Sequence, residues 1–284
     1  MSNFSVVVPI RNEVKLIEKN LPSYIGLNPR ELIICLDKPP CAGVRDKVEE
    51  VVKKYHFSEK TRILEIDNSG WNYKMAKVRR IGFINAKCDV LFTGDIDCMV
   101  NKNCLKAIEM VGRDNVGIVS VTRFYLPHGL IDVYRLVGWA VIKKYVHGIR
   151  RLIGRKTASQ PFSGTYALYK PYWLDSEPLA KIKAHKSVKQ LLRRGEKISS
   201  SSIGGVGEDS HLRDYMLTKH KVVCLEDIGA FVTSDPYENL PAMQFSKGVY
   251  FSRNGRSLVI SIARAVLRCQ PYYLIGALWG MKNG

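Results

Sequence analysis

The sequence predicts an α/β protein with a mostly parallel sheet that is flanked by helices. Short apolar runs, rich in β-branched residues, recur along the first 122 of the 284 residues. Segments with helical periodicity separate these runs, and such alternation is typical of β-α units in a parallel sheet. An amphipathic pattern near the C-terminus predicts a helical extension.

The predicted strands lie mainly in the first half of the chain. They cover residues 4–10, 32–36, 62–66, 90–93 and 116–121. The helices between them place apolar residues on one side, and the second helix has Val44, Val48, Val51 and Val52 on its inward face. The other predicted helices include residues 14–21, 71–86 and 104–111.

The second half of the chain has a different pattern. Residues 130–153 show a long amphipathic helical periodicity, and residues 162–169 a turn that enters a strand. A loop rich in Ser and Gly, residues 199–207, precedes a further helix. We therefore expect three parts, residues 1–122, 123–235 and 236–284, of which the last holds C-terminal amphipathic helices.

The chain is strongly basic, with 44 Lys and Arg against 26 Asp and Glu, a net charge of +18. Such an excess implies an anionic partner: a nucleic acid, a membrane surface or a phosphorylated substrate. The basic residues concentrate in 143–156 and 181–197. Seven cysteines form no Cys-x-x-Cys pair, which predicts reduced thiols and a cytosolic location.

Two carboxylates, Asp95 and Asp97, follow the predicted strand 90–93. They therefore lie where a strand leaves a sheet, which is where open α/β sheets bind ligands. At this spacing two carboxylates can converge on one hard cation such as Mg²⁺ or Mn²⁺, which prefers oxygen ligands. The alternative interpretation is a solvated acidic turn, since Asp is common in turns.

Two further signals lie before and after this motif. The turn Pro9-Ile10-Arg11-Asn12-Glu13 follows the first strand, and Glu208-Asp209 follows the loop rich in Ser and Gly. On its own, the acidic pair is also typical of a helix N-terminus. The order of the three signals along the chain favours a common site.

Together these residues resemble the family 2 glycosyltransferases, which have the GT-A fold, a Rossmann-like sheet, and transfer a sugar from a nucleoside-diphosphate donor. The resemblance extends to residues 32–37, to Asn68-Ser69-Gly70 with the helix that follows, and to residues 162–165. Two positions depart from the family. Lys38-Pro39-Pro40 follows Asp37 where Asp-Gly-Ser is usual, and Lys247-Gly248 stands where the family has Arg-Trp.

The resemblance implies a role for each matching residue. Asp95 and Asp97 would hold a divalent cation, Mn²⁺ or Mg²⁺, and Asp209, beside Glu208, would be the catalytic base of an inverting transfer. The expected contacts to the donor are Pro9, Arg11, Glu13, Asp37, Gly70, Arg80, Asp95, Ser163, Gly164 and Lys247. Residues 1–122 would then bind the nucleotide sugar, and residues 123–235 would form the acceptor and catalytic half of the same domain.

The acceptor is expected to be a glycan or a lipid-linked molecule. The basic amphipathic segments 130–156 and 256–281 indicate a polyprenyl-linked acceptor and a peripheral contact at the cytosolic face of a membrane. A core helix with a solvated basic face is the other interpretation of the first segment. A soluble polysaccharide, a protein or a small molecule stays open as acceptor.

Two other functions were weighed against these patterns. A nucleotide-dependent dehydrogenase is disfavoured because the first turn, Pro9-Ile10-Arg11-Asn12-Glu13, contains no glycine. A basic nucleic-acid-binding α/β protein without catalysis would explain the charge. We expect no nucleic-acid partner, however, since no recognised binding motif occurs and the acidic motifs would repel phosphates.

Overall fold

The computed structural model describes residues 3–11, 13–38, 42–67, 74–125, 164–175, 219–233, 258–267 and 271–282, and single residues or pairs at 130, 133–134, 137, 216–217, 245 and 249. Residues 1–124 and 160–233 form one compact unit, unit 1, and residues 125–159 and 234–284 form another, unit 2. The three-part division expected from the sequence stays a prediction.

In the described part of the chain, one sheet contains eight strands in the order β3-β2-β1-β4-β7-β6-β8-β5. The strands are β1 (Phe4–Ile10), β2 (Glu31–Lys38), β3 (Thr61–Asp67), β4 (Val90–Thr93), β5 (Cys98–Met99), β6 (Val116–Tyr125), β7 (Tyr166–Tyr169) and β8 (Lys221–Val232). The pairs β3-β2, β2-β1 and β1-β4 are parallel, whereas β7 runs antiparallel to both β4 and β6. The α/β class predicted from the sequence is confirmed.

The helices bounded within the described residues are α1 (Val14–Ile25), α2 (Val44–Lys54), α3 (Lys74–Asn85) and α4 (Leu105–Met110) in unit 1, and α5 (Leu258–Leu267) and α6 (Pro271–Lys282) in unit 2. Residues 170–175 are also helical, which the sequence analysis did not predict. Most of the long helix predicted over 130–153 lies outside the described residues. Across the part of the chain that the structure describes, no helix is both long enough and apolar enough to cross a membrane.

The sheet is buried on both faces because its strand residues alternate between two apolar clusters. Val6 and Val8 pack in a cluster that includes the inward residues of α1 and α2, whereas Val7 packs in a cluster with α3. Helix α3 lies so close to the sheet that a Cβ on Gly82 would be 2.4 Å from Val7 Cγ1. This packing fixes α3 against the strands that lead to Asp95 and Asp97.

Candidate active site

The candidate site lies at the carboxyl ends of β1, β2 and β4. Because these strands are parallel, Arg11 after β1, Asp37 near the end of β2 and Asp95 after β4 lie at the same edge of the sheet. The strand order also reverses at this place, since β1 pairs with β2 on one side and with β4 on the other. Such a position is typical of ligand sites in open α/β sheets.

The turn 95–97 is fixed through its backbone. Each of its three carbonyl oxygens accepts a hydrogen bond from a group in another element. The donors to Asp95, Ile96 and Asp97 are the Tyr24 hydroxyl (2.8 Å), the Asn20 side-chain amide (2.8 Å) and the Thr233 backbone amide (2.8 Å), respectively. Tyr24 and Asn20 belong to α1 and are fully buried. The two carboxylates therefore project from a backbone that is already in place before any ligand binds.

Both carboxylate oxygens of Asp95 accept hydrogen bonds from arginines. Arg79 of α3 contacts Oδ1, and Arg123 of β6 donates from Nη2 to Oδ2 at 2.6 Å. The Arg79 side chain is 5% exposed and that of Arg123 18%. Burial alone would raise the pKa of Asp95, but the two guanidinium groups outweigh it and hold the pKa at about 2. Asp95 is thus a fixed anion within the site.

The sequence did not single out either arginine; of the basic residues on α3, the resemblance implied only Arg80, as a contact to the donor. Arg79 lies on the same helical face as Val78 and Gly82, which pack against the sheet, whereas Arg80 is only partly buried. Arg123 continues the inward alternation of Val119 and Val121 along β6. An arginine in an apolar stripe was the available signal, since arginine is almost never buried without a partner. The donor contact assigned to Arg80 stays a prediction.

Asp97 is the carboxylate that suits a cation best. Its Oδ1 accepts a hydrogen bond from Cys98 Sγ at 3.2 Å, and its side chain is partly exposed. Burial, and next the charge of Asp95, raise the pKa of Asp97. A bound cation would offset both effects, whereas a cation at Asp95 would compete with Arg79 and Arg123. Among the described residues no group of three His, Cys, Asp or Glu is arranged to hold a metal ion.

A divalent cation nevertheless fits this site. Mg²⁺ is usually bound by one or two carboxylates together with substrate phosphates rather than by an all-protein cage. Asp97 supplies such a carboxylate at the edge of the sheet where a diphosphate is expected. The assignment of both Asp95 and Asp97 as metal ligands stays a prediction, with Asp97 favoured by the geometry.

The residues expected to contact the nucleotide lie at the ends of β1 and β2. Asp37 is buried, and its Oδ2 lies 3.3 Å from Nε of the half-exposed Arg11. The Arg11 backbone amide donates to Glu13 Oε2 at 2.8 Å, and Pro9 lies in register with Cys35 of β2. The structure therefore brings these predicted residues together at the same edge as Asp95.

Gly164, which the resemblance assigns to the donor contacts, lies against Asp95. A Cβ on Gly164 would be 2.5 Å from Arg123 Nη2 and 3.2 Å from Asp95 Oδ2, so a larger residue would displace the ion pair. Next to it, Thr165 Oγ1 accepts a hydrogen bond from Arg123 Nε at 3.2 Å. The other predicted site residues, Gly70, Ser163, Glu208, Asp209 and Lys247, lie outside the described residues.

The sequence and the fold are both similar to those of known proteins. The family profile described as "Glycosyl transferase family 2" matches residues 5–175. Among solved structures, the mannosyltransferase PcManGT from Pyrobaculum calidifontis in complex with GDP-Man and Mn²⁺ is similar, with a TM-score of 0.55, 17% identity, and coverage of 99% of this chain and 74% of that one. No curated protein matches the sequence.

A second similar structure is S. aureus TarS 1-349 in complex with UDP. It has a TM-score of 0.51 and 15% identity, and the match covers 87% of this chain and 65% of that one. The same TarS fragment has also been solved in complex with UDP-GlcNAc, with a TM-score of 0.50 and 14% identity over 93% of this chain and 72% of that one. At these identities the likeness concerns the fold.

Proposed function

This chain belongs to glycosyl transferase family 2, whose members are enzymes that use nucleotide sugars, and we propose that it transfers a sugar from a nucleoside-diphosphate donor to an acceptor hydroxyl or phosphate with inversion. The fold and family expected from the sequence are confirmed. The observation that most supports the proposal is the convergence of Asp37, Asp95 and Asp97 at the carboxyl ends of neighbouring parallel strands.

The donor would lie along this edge of the sheet. Asp37, held near Arg11, would accept hydrogen bonds from the nucleotide base, and Asp95, fixed by Arg79 and Arg123, would accept them from the ribose. Asp97, with Asp95 near it, would hold Mn²⁺ or Mg²⁺, and a similar structure contains Mn²⁺ together with GDP-Man. When bound, the cation supplies positive charge that stabilises the leaving diphosphate.

The chain's own residues would supply the remaining chemistry. Inversion requires a base on the acceptor side of the sugar, which removes the proton of the attacking hydroxyl. We assign this role to Asp209, with Glu208 beside it to orient the acceptor. Ser163, Gly164, Gly70, Arg80 and Lys247 would complete the donor contacts. Gly164 lets the backbone lie close to the Asp95–Arg123 ion pair, because a Cβ there would be 2.5 Å from Arg123 Nη2.

The acceptor we propose is a lipid-linked glycan or polyprenyl phosphate at the cytosolic face of a membrane. The net charge of +18 supports an anionic acceptor or surface. Reduced cysteines in the core support a cytosolic location, since Cys35, Cys88, Cys98 and Cys104 are buried free thiols.

Donor use can be tested with a panel of nucleoside-diphosphate sugars in the presence of Mn²⁺, by measuring release of the nucleoside diphosphate with and without a polyprenyl-linked glycan, whose acceptor group is a hydroxyl. We expect one donor to give acceptor-dependent release. Asp209→Asn should retain binding of that donor and lose transfer by about 10²-fold or more, because the general base is removed.

Asp46→Asn is the matched control, since Asp46 is an exposed carboxylate on α2. It should transfer at the wild-type rate. Transfer by Asp209→Asn at that same rate would contradict the assigned base, and release of nucleotide from none of the donors would contradict the proposed function itself.

A further inference from the structure

Helix α5 of unit 2 has several large apolar side chains exposed and two small residues buried. Val259 is 75% exposed, Ile262 43% and Val266 60%, whereas Ser261 and Ala265 are buried. The three exposed residues recur at intervals of three and four and therefore share one face of the helix. A helix that packs on the core of a water-soluble protein has the opposite arrangement, with the large apolar residues turned inward.

Helix α6 has the same inverted arrangement. After Pro271, the positions of α6 that the structure shows as exposed carry large apolar or aromatic residues, namely Tyr272, Ile275, Leu278, Trp279 and Met281. Its buried positions are mostly small, with Gly276, Ala277 and Gly280 beside Tyr273. Gly276 packs so tightly that a Cβ would lie 2.1 Å from the backbone oxygen of Phe245. Small residues on the packed side and large apolar ones outside are typical of helices in lipid.

The charge of this segment has a single sign. From Asn239 to Gly284 the sequence contains no Asp or Glu and six basic residues: Lys247, Arg253, Arg256, Arg264, Arg268 and Lys282. Basic residues next to an apolar surface are attracted to anionic lipids. Trp279 and Tyr272 add aromatic rings of the kind that concentrate at the membrane–water interface.

Helices α5 and α6 contact each other within unit 2. We propose that their exposed apolar residues form a membrane-docking surface that enters the interface of an anionic bilayer. We call Val259, Ile262, Val266, Ile275, Leu278 and Trp279 the docking surface. This inference deepens the proposed function, on which it rests for the lipid-linked acceptor. A second copy of the chain fits less well, because two such basic segments would repel each other whereas anionic lipid attracts both.

The test is flotation of the full-length protein with vesicles of phosphatidylcholine and phosphatidylglycerol in a 4:1 ratio, at low salt and at high salt. We expect the wild type to float with these vesicles, and to bind much less at high salt because screening weakens the attraction of the basic residues. Ile262→Glu combined with Ile275→Glu should lower the vesicle partition coefficient by about tenfold or more. Each change removes apolar area that the bilayer would bury on docking.

Ile84→Glu is the matched control. Ile84 lies on α3 of unit 1 and is 43% exposed, the same fraction as Ile262, so Ile84→Glu matches the single variant Ile262→Glu in chemical change and accessibility. We expect this variant to bind vesicles like the wild type. An equal loss in both variants, or a wild type that stays in the pellet at low salt, would overturn the docking surface.

Two further measurements separate the alternatives. A wild type that does not float and forms a dimer in sedimentation velocity, with the dimer lost in the double variant, would assign the docking surface to a second copy and overturn the proposal. A thermal shift with nucleoside diphosphate and Mn²⁺ monitors the proposed function independently. Vesicle binding without any such shift would count against the glycosyl donor and leave the docking surface standing.

Discussion

Helices α2 and α6 have nearly equal lengths, 11 and 12 residues, and opposite surfaces. Helix α2 in unit 1 buries four valines and turns Arg45, Lys47 and Glu49 outward. Helix α6 in unit 2 buries glycine and alanine and turns Ile275, Leu278 and Trp279 outward. The outer face of α2 is therefore suited to contact with water, whereas the outer face of α6 is suited to contact with an apolar neighbour.

The charges of the two regions differ in the same way. The basic side chains of α2 pair with acidic ones at short distances, as in Lys47–Glu50 at 2.8 Å within the helix and Arg45–Glu65 of β3 at 2.6 Å. In the sequence from 239 to 284 there is no acidic residue that could form such a pair. Mixed signs favour solubility in water, whereas an unbalanced basic segment is attracted to an anionic surface.

The largest expected effect is the loss of stability when an acidic residue replaces a buried valine of α2. Val48→Asp in α2 should lower the free energy of unfolding by about 4 kcal/mol or more, because it buries an unpaired carboxylate in the core. Ile275→Asp in α6 should lower it by less than about 0.5 kcal/mol in the absence of lipid, since the side chain is already exposed. Urea unfolding followed by circular dichroism measures both.

Equal losses of stability in the two variants would contradict the difference between α2 and α6, because they would mean that the outward face of α6 is covered by protein in solution. Ile275→Leu serves as the control for α6, since it keeps the apolar character and should leave stability unchanged.

A smaller effect is expected where unit 1 buries charge. Arg123→Met should lower the free energy of unfolding by about 3 kcal/mol, because it removes one of the two arginines that pair with the Asp95 carboxylate in a buried site. Lys219→Met removes an ion pair of similar length, Lys219–Asp175 at 2.8 Å, that is exposed on both sides. It should have no measurable effect on stability.

Thermal unfolding of Arg123→Met and Lys219→Met measures how much more a buried ion pair contributes to stability than an exposed one. Arg123→Met should also weaken nucleotide binding, because Asp95 would lose its fixed position. A stability loss for Lys219→Met as large as that for Arg123→Met would contradict the difference between buried and exposed charge.

Local patterns were sufficient for much of the fold and for part of the site. The strands β1 to β4 follow from apolar runs bounded by turns, and Asp95 and Asp97 were found because they follow such a run. Strand β8 was missed because Lys221, Glu226 and Asp227 interrupt its apolar character. The antiparallel position of β7 between β4 and β6 depends on pairing across the sheet, which no local pattern specifies.

The remaining features depend on which neighbour a residue meets. Arg79 and Arg123 are 44 residues apart in the sequence, counted as 123 − 79, and only the folded sheet brings both to Asp95. In α5 and α6 the periodicity shows that apolar residues share a face, as with Val259, Ile262 and Val266. The periodicity does not show whether that face turns inward or outward. The exposure of these residues in the folded structure identifies the docking surface.

The central claim is that the turn 95–97 binds a nucleoside diphosphate through a cation held by Asp97. Isothermal titration calorimetry of the wild type, Asp97→Asn and the control Asp46→Asn with GDP and UDP, each with and without Mn²⁺, tests it most directly. We predict that Asp97→Asn lowers the Mn²⁺-dependent affinity by about tenfold or more, with affinity in the absence of metal and the behaviour of the control unchanged. Mn²⁺-dependent affinity in Asp97→Asn equal to that of the wild type would contradict the claim.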